Sequence, residues 1–210
     1  MASLSGTLTY RRYRVIGKPP GDFKERYGKE LARHAFREVD STIDKLRSAG
    51  WVTIHHLFDT DFSSPDKFLF NQYIRLVLRI DRLTIPTKLF SAYYTRTAEA
   101  YLAEHPEVKR ISRSLEETLK RKVREEIIRK GLLPSTQAYE LVWNLDSGRL
   151  FFFTTSKQAN EEMIECFQQT FGLSLRFAHP LLLAYEFTED ASFAEAIEGL
   201  EPVVFSHPEN

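Results

Sequence analysis

The sequence has a single cysteine, few glycines and no long apolar run. Among its 210 residues there are one Cys and nine Gly. Because Cys166 can form no internal disulfide, we expect a reduced, cytoplasmic setting. No apolar stretch approaches the roughly 20 residues that a membrane-spanning helix needs, and the N-terminus has no export-signal pattern. We therefore expect neither membrane insertion nor export.

Sequence motifs for several kinds of catalysis are also missing. The sequence contains no G-x-S-x-G, no glycine-rich phosphate loop, no C-x-x-C pair and no H-E-x-x-H, which excludes the enzyme classes that depend on these motifs. His55, His56, Asp59 and Asp61 have a metal-like composition. Adjacent histidines on a strand point to opposite faces, however, so we interpret this stretch as a polar strand end and loop. We predict no catalytic residue, no metal site and no cofactor.

The formal net charge of zero hides a strong asymmetry along the chain. Residues 1–130 contain 26 Lys/Arg and 17 Asp/Glu, whereas residues 131–210 contain 3 Lys/Arg and 12 Asp/Glu. These counts give net charges of +9 and −9. Such asymmetry indicates a portion that faces a polyanion and an acidic portion that faces water, a partner or the basic part of another subunit.

The hydrophobic spacing predicts an α+β fold with mostly antiparallel sheets and packed helices. We expect two lobes that meet near residues 131–136, a basic lobe over 1–130 and an acidic lobe over 131–210. The predicted strands lie at 7–16, 51–54 and 74–85, in a hairpin over 138–155, and near 173–177 and 181–187. The predicted helices lie at 22–50, 86–105, 114–130 and 156–171, with a short one within 191–200.

Residues 74–85 form the clearest predicted strand. Its alternation places Leu76, Leu78 and Ile80 on a buried face. The opposite face is expected to be basic and exposed, and it carries Arg75, Val77, Arg79 and Asp81.

Arginines on two predicted strands and cations on a predicted helix fit recognition of a nucleic-acid backbone. The first strand carries its arginines on both faces, and the helix at 114–130 has more basic than acidic residues. Contacts with phosphates supply affinity with little sequence information and make binding salt-dependent. The candidate DNA-binding residues are Arg11, Arg12, Arg14, Arg75, Arg79, Lys120, Arg121, Lys122 and Arg124.

Residues 140–163 contain a stretch that could hold a phosphate. Thr154 to Lys157 follow a strand and open a helix, where free amide groups attract anions. A phosphate loop needs glycines, however, and none lies between Arg149 and Gly172. We favour a capping box made by Thr155 and Gln158. We also interpret Trp143 and residues 151–153 as core, although a base-stacking role is the alternative.

The order and spacing of these elements resemble RdgC, the bacterial recombination-associated family. The resemblance covers roughly residues 10–180. The residues that carry it are Gly50-Trp51, Thr84-Ile85-Pro86, Leu132-Leu133-Pro134, Trp143 with Gly148, Ser156-Lys157-x-Ala159-x-Glu161 and Gly172-Leu173-Ser174-Leu175.

The resemblance implies a nucleoid-associated protein that binds duplex DNA with little sequence preference. It further implies a homodimeric ring around DNA and restraint of RecA. The chain ends soon after the elements that follow the hairpin, so we expect it to lack the second lobe of longer members and do not carry over the closed ring. The position after Leu-Leu-Pro, basic in familiar members, is Ser135 here, so a DNA contact from that loop is not carried over either.

Two other hypotheses remain open from the sequence. The basic part of one subunit could meet the acidic part of another, which would make the chain a salt-sensitive interaction module without DNA binding. The family is also labelled a putative exonuclease, for which the candidate carboxylates are Asp81, or Glu140 with Asp146. We rank the nuclease hypothesis last because no lysine stands in the expected relation to these carboxylates.

Overall fold

A computed structural model of the chain describes residues 8–38, 46–108, 110–131 and 133–180, together with residues 183, 184, 196 and 199. It has an α+β fold, as the sequence predicts. The strands are β1 (Arg11–Ile16), β2 (Arg47–Val52), β3 (Leu69–Phe70), β4 (Tyr73–Arg82), β5 (Ser135–Asn144), β6 (Arg149–Phe152) and β7 (Ser174–Phe177). The helices are α1 (Phe23–Arg33), α2 (Thr87–Glu104), α3 (Arg113–Arg129) and α4 (Lys157–Phe171).

The seven strands belong to one sheet. Its order is β2-β4-β5-β6-β1-β7, with β3 beside β4, and every pairing between strands is antiparallel. The longest pairing joins β4 to β5 over ten residue pairs, from Tyr73 opposite Asn144 to Arg82 opposite Ser135. This corrects the prediction of two lobes, because the described strands of the basic and acidic portions share a sheet and a core. Charge composition changes near residue 131, but strand pairing follows the apolar alternation.

The core lies between one face of the sheet and helices α1 and α4. Leu76, Leu78 and Ile80 are buried on this face of β4, which confirms the prediction for these three residues. Helix α4 contributes Met163 and Phe167 to the same cluster. Burial of such apolar side chains, at roughly 1.5–3 kcal/mol each, is the main favourable term for this arrangement.

Two polar bonds fix helix α4 on the sheet. The indole nitrogen of Trp51, in β2, donates to the Thr170 hydroxyl at 2.9 Å. The Tyr13 hydroxyl, in β1, donates to the Asn160 side chain at 2.7 Å. Because all four residues are buried, these bonds satisfy polar atoms that would otherwise be costly to bury. Helix α4 is thereby tied to two strands of the sheet.

The predicted helix over 22–50 is wrong beyond Arg33. Helix α1 ends there, and residues 47–52 form strand β2, while residues 39–45 lie outside the described part of the chain. Gly50, which the sequence suggests as a helix end, lies inside β2. The preceding segment runs alongside this strand, with Phe36 N donating to Trp51 O and Trp51 N donating to His34 O. Sequence periodicity predicts the helix up to residue 33, but it does not contain the long-range pairing with β4 that makes residues 47–52 a strand.

We predict that Gly50→Ala destabilises the fold by about 1–3 kcal/mol or more. A Cβ at Gly50 would lie 2.5 Å from Phe36 Cα and 2.6 Å from Phe36 N, so the backbone itself must move. Gly21→Ala is the matched control, because a Cβ there meets no atom within 4 Å. Urea denaturation measures both variants, and equal midpoints for the two would contradict this account of Gly50.

Helices α2 and α3 pack mainly against each other, beyond the ends of β4 and β5. The buried side chains of α3 are Leu119, Val123 and Ile127, spaced four residues apart along one side of the helix. No helix among the described residues is long and apolar enough to cross a membrane. The strand predicted near 181–187 and the helix predicted within 191–200 lie outside the described residues, apart from the four isolated positions.

Candidate nucleic-acid interface

The sheet has a second face, opposite α1 and α4, which we call the open face. Side chains of directly opposite residues lie on the same side of a sheet, so the pairing register gives the arrangement of this face. Arg14 is opposite Arg149 on one neighbouring strand and opposite Arg176 on the other. One step further along, Arg12 is opposite Phe151. The open face of β6, β1 and β7 is therefore rich in arginine.

Arg149, Arg14 and Arg176 form a row across three strands, which we call the arginine ladder. Neighbouring strands lie about 4.8 Å apart, so three long guanidinium side chains can reach one anionic group or two adjacent ones. Arg14 also donates from Nη1 to the Ser147 carbonyl. Like charges directly opposite each other destabilise a sheet, and an anion bound between them would offset that cost.

Arg176 is the accessible end of the ladder. Arg176 is exposed, and it makes no ion pair with any described residue. Arg14 and Arg149 are half-buried. Asp146 lies in the nearby hairpin turn, and Arg14 and Arg149 make further contacts of their own.

The next row of the open face contains Arg75, Val142, Phe151 and Arg12, in that order across four strands. The Arg12 guanidinium lies 5.6 Å from the centroid of the Phe151 ring. The Arg75 guanidinium lies 5.6 Å from the centroid of the Phe70 ring. Both arginines are half-buried, and the Nε of Arg12 is itself buried and makes no hydrogen bond with a described residue.

Arg79, predicted as an exposed DNA contact, is buried. Its Nε and Nη2 donate to the two carboxylate oxygens of Asp81 at 3.0 and 2.6 Å, and its Nη1 donates to the Leu57 carbonyl at 3.1 Å. The guanidinium also lies 4.1 Å from the Phe36 ring centroid and 4.8 Å from that of Phe58. With 6% of its surface exposed, Arg79 cannot reach a phosphate. The prediction of an exposed face failed because the segments before and after β2 cover this end of the sheet.

Arg11 lies on the opposite side of the sheet from Arg12 and Arg14. Its guanidinium is 5.8 Å from the centroid of the Phe177 ring, and Phe177 is opposite Tyr13, whose side chain is buried in the core. The sequence prediction that the arginines of the first strand fall on both faces is therefore confirmed. Arg11 is separated from the arginine ladder by the sheet itself.

The four candidate cations of α3 differ in their surroundings. Lys120 forms an ion pair with Glu116 at 2.6 Å, and this bond raises the pKa of the lysine. The Arg124 guanidinium lies 5.8 Å from the centroid of the Phe90 ring. Arg121 and Lys122 are exposed and make no ion pair with any described residue. Arg121 and Lys122 are therefore the more available cations of this helix.

Several groups of types that support catalysis are buried or held in contacts with other side chains. Burial raises the pKa of the Cys166 thiol to about 12, which leaves almost no thiolate near neutral pH. Lys67 lies between Asp59 and Asp61 and binds both carboxylates. The carboxylate of Asp81 is held by Arg79, as described above. Among the described residues, no group of three or more His, Cys, Asp or Glu side chains could hold a metal ion.

The helix start that was considered as a phosphate seat is capped by its own side chains. The cap is Ser156, whose hydroxyl accepts from Ala159 N at 3.4 Å, rather than the predicted Thr155. The Asn160 amide donates to the carbonyls of Thr154 and Ser156. Local hydrogen bonds thus account for this stretch.

Arg149 and Arg176 are not among the DNA-binding residues predicted from the sequence, because both lie in the portion counted as acidic. The available signal was alternation. In the hairpin, Arg149 and Phe151 are alternate residues and lie on the same side of the sheet, whereas Leu150 and Phe152 are fully buried on the other side.

A scan of the chain against models of known protein families finds no match, and a search of curated proteins finds none either.

Proposed function

We propose that this protein binds DNA without sequence preference, through phosphate contacts on the open face of its sheet. The observation that carries the proposal is the arginine ladder, in which three like charges lie side by side. Arg12 and Arg75 extend the positive surface along the next row, and Arg121 and Lys122 on α3 are additional contacts. Arg11 and Arg79 are not included, because one lies on the other face and the other is buried.

Lack of sequence preference follows from the chemistry of these groups. Guanidinium groups on a sheet bind phosphate oxygens, which are the same for every base. Affinity would then come mainly from release of counterions and fall steeply with salt. The described residues hold 27 Lys/Arg and 20 Asp/Glu, a net charge of +7, which favours approach of a polyanion to this part of the protein.

The proposal extends to the role that the RdgC resemblance implies. In that role the chain acts as a homodimer that coats or encircles duplex DNA in the nucleoid and limits RecA action. The support for this extension is the order of elements from residue 50 to residue 175, in which the hairpin and α4 follow the charged helix α3.

The test is a binding titration of the wild-type protein with random-sequence duplex DNA of about 30 base pairs. With seven phosphate contacts, affinity is expected to fall by more than a thousandfold between 50 and 200 mM salt. Fluorescence anisotropy of labelled DNA gives the dissociation constants. Absence of binding at 50 mM salt, or an affinity that does not change with salt concentration, would contradict the proposal.

The same samples separate the two alternatives. Light scattering at both salt concentrations detects oligomers held together by opposite charges, and such oligomers without DNA binding would favour the interaction module. Incubation of linear DNA with the protein and Mg²⁺ or Mn²⁺ detects a nuclease. Both carboxylate oxygens of Asp81 accept hydrogen bonds from Arg79. If an Asp81 variant still degrades DNA, Glu140 and Asp146 are the remaining candidate carboxylates.

A further inference from the structure

Three aromatic side chains form a cluster on the open face beside the arginine ladder. The Tyr10 ring lies 5.4 Å from the Phe151 ring and 6.1 Å from the Phe153 ring, measured between centroids, in edge-to-face arrangements. Tyr10 is 42% exposed, and the two phenylalanines are half-buried. We call these three residues the aromatic cluster.

The aromatic cluster is not part of the protein core. The fully buried aromatic residues of this hairpin, Trp143 and Phe152, point to the other face and pack with α4. The interpretation of residues 151–153 as core is therefore correct for Phe152 only. Tyr10, Phe151 and Phe153 present ring surface to the side of the sheet that carries the arginines.

The spacing between cluster and ladder suits a nucleotide chain. Tyr10, which immediately precedes β1, lies on the same side as Arg12 and Arg14, and these residues follow one another at steps of two residues, about 7 Å each. Arg12 covers the Phe151 ring and thereby connects the aromatic cluster to the arginine ladder. A strand of nucleic acid crossing this face would have phosphates on the ladder and bases over the rings.

A cavity adjoins the cluster. It has a volume of about 260 Å³ and is lined by Phe153 together with Thr53, His55 and Glu140, among others. The Thr53 hydroxyl already donates to Asp59 at 3.0 Å, and Glu140 is buried, so the exposed His55 imidazole is the group here that can bond to the polar edge of a base. A ring stacked on Phe153 could therefore direct its edge toward polar groups.

We propose that the aromatic cluster stacks unpaired bases, so that the open face binds single-stranded DNA in preference to duplex. The inference rests on the proposed function, because the arginine ladder supplies the phosphate contacts. Bases in a duplex are already stacked on one another, whereas a single strand leaves its ring faces accessible to aromatic side chains. The occupant of this face is thus a single-stranded segment with at least two bases over Tyr10 and Phe153.

The experiment compares the wild type with Tyr10→Ala/Phe153→Ala on three probes of equal charge per strand. The probes are a 20-residue oligo-dT, an abasic oligonucleotide of the same length, and a 20-base-pair duplex. Stacking contributes enough per base that the double variant should lose about 10- to 1000-fold in affinity for oligo-dT. Its affinity for the abasic strand and the duplex should change less than threefold.

Two controls keep the inference falsifiable. Phe177→Ala removes an exposed aromatic residue that also lies under an arginine but on the opposite face of the sheet, so oligo-dT binding should be unchanged. If the alanine variant fails to fold, Tyr10→Leu/Phe153→Leu takes its place. The leucine variant retains apolar packing without aromatic rings, and it should also lose oligo-dT affinity. Equal losses on all three probes, or no loss on oligo-dT, would overturn the stacking proposal. Absence of wild-type binding to every probe would instead overturn the proposed function.

Discussion

Arg176→Glu is expected to weaken DNA binding at 50 mM salt by about tenfold to a hundredfold, while the protein remains as stable as the wild type or becomes more stable. The loss follows because the variant replaces a phosphate contact with a repulsive carboxylate. The retained stability follows because the introduced carboxylate would lie opposite Arg14, where an opposite-charge pair replaces a like-charge pair. Anisotropy titrations and thermal melts measure the two effects separately.

Arg11→Glu is the matched control for this prediction. It makes the same change in net charge on the same sheet, but on the face that carries α1 and α4. Its DNA affinity should fall less than threefold at the same salt concentration. If both variants lose affinity equally, the effect comes from net charge alone, and the open face has no special role.

Asp81→Ala is expected to lower the free energy of unfolding by about 3–5 kcal/mol, which corresponds to roughly 10 °C in melting temperature. Asp81 is 1% exposed and accepts two hydrogen bonds from Arg79. Removing the carboxylate would leave a buried guanidinium with only the Leu57 carbonyl and two aromatic rings around it. Urea denaturation followed by circular dichroism measures the change.

A double-mutant cycle distinguishes this mechanism from general damage to β4. Arg79→Met removes the buried charge, so Arg79→Met/Asp81→Ala should be more stable than Asp81→Ala alone. Asp146→Ala, in an exposed turn, is the control and should change stability by less than about 0.5 kcal/mol. Strict additivity of the two substitutions in β4 would contradict a coupled buried pair.

Periodicity in the sequence predicted helices α2, α3 and α4 and strand β4 to within three residues at each end, but not the end of α1, the start of β2 or which faces of the sheet are covered. In β4 the residues at even positions form the core, since an uninterrupted period of two leaves no other choice for Leu76, Leu78 and Ile80. The exposed character of the opposite face could not be predicted. Whether Arg79 meets water depends on Phe36 and on the 53–58 segment, which reach it through the tertiary fold.

Gly50 illustrates a different limit of sequence reading. Glycine after a helical pattern is typical of a helix end, and the same residue also permits close approach of two backbones. The second use applies here, because the backbone at Phe36 passes directly over β2. Only the pairing of distant segments distinguishes the two uses.

The candidate interface depends on strand order, which composition conceals. The charge counts for residues 1–130 and 131–210 place Arg149 and Arg176 in an acidic portion. In the sheet, however, these two arginines lie on either side of Arg14. Seven of the twelve acidic residues of 131–210 lie outside the described residues. The hairpin and β7 that complete the sheet therefore contribute arginines to its open face.

The most direct test of the central claim is the slope of log affinity against log salt concentration for duplex DNA, measured for the wild type and for Arg14→Ala/Arg176→Ala. Seven phosphate contacts predict a wild-type slope of about −6.3, and loss of two contacts predicts about −4.5 for the variant. Equal slopes for the two proteins would show that the arginine ladder does not contact DNA.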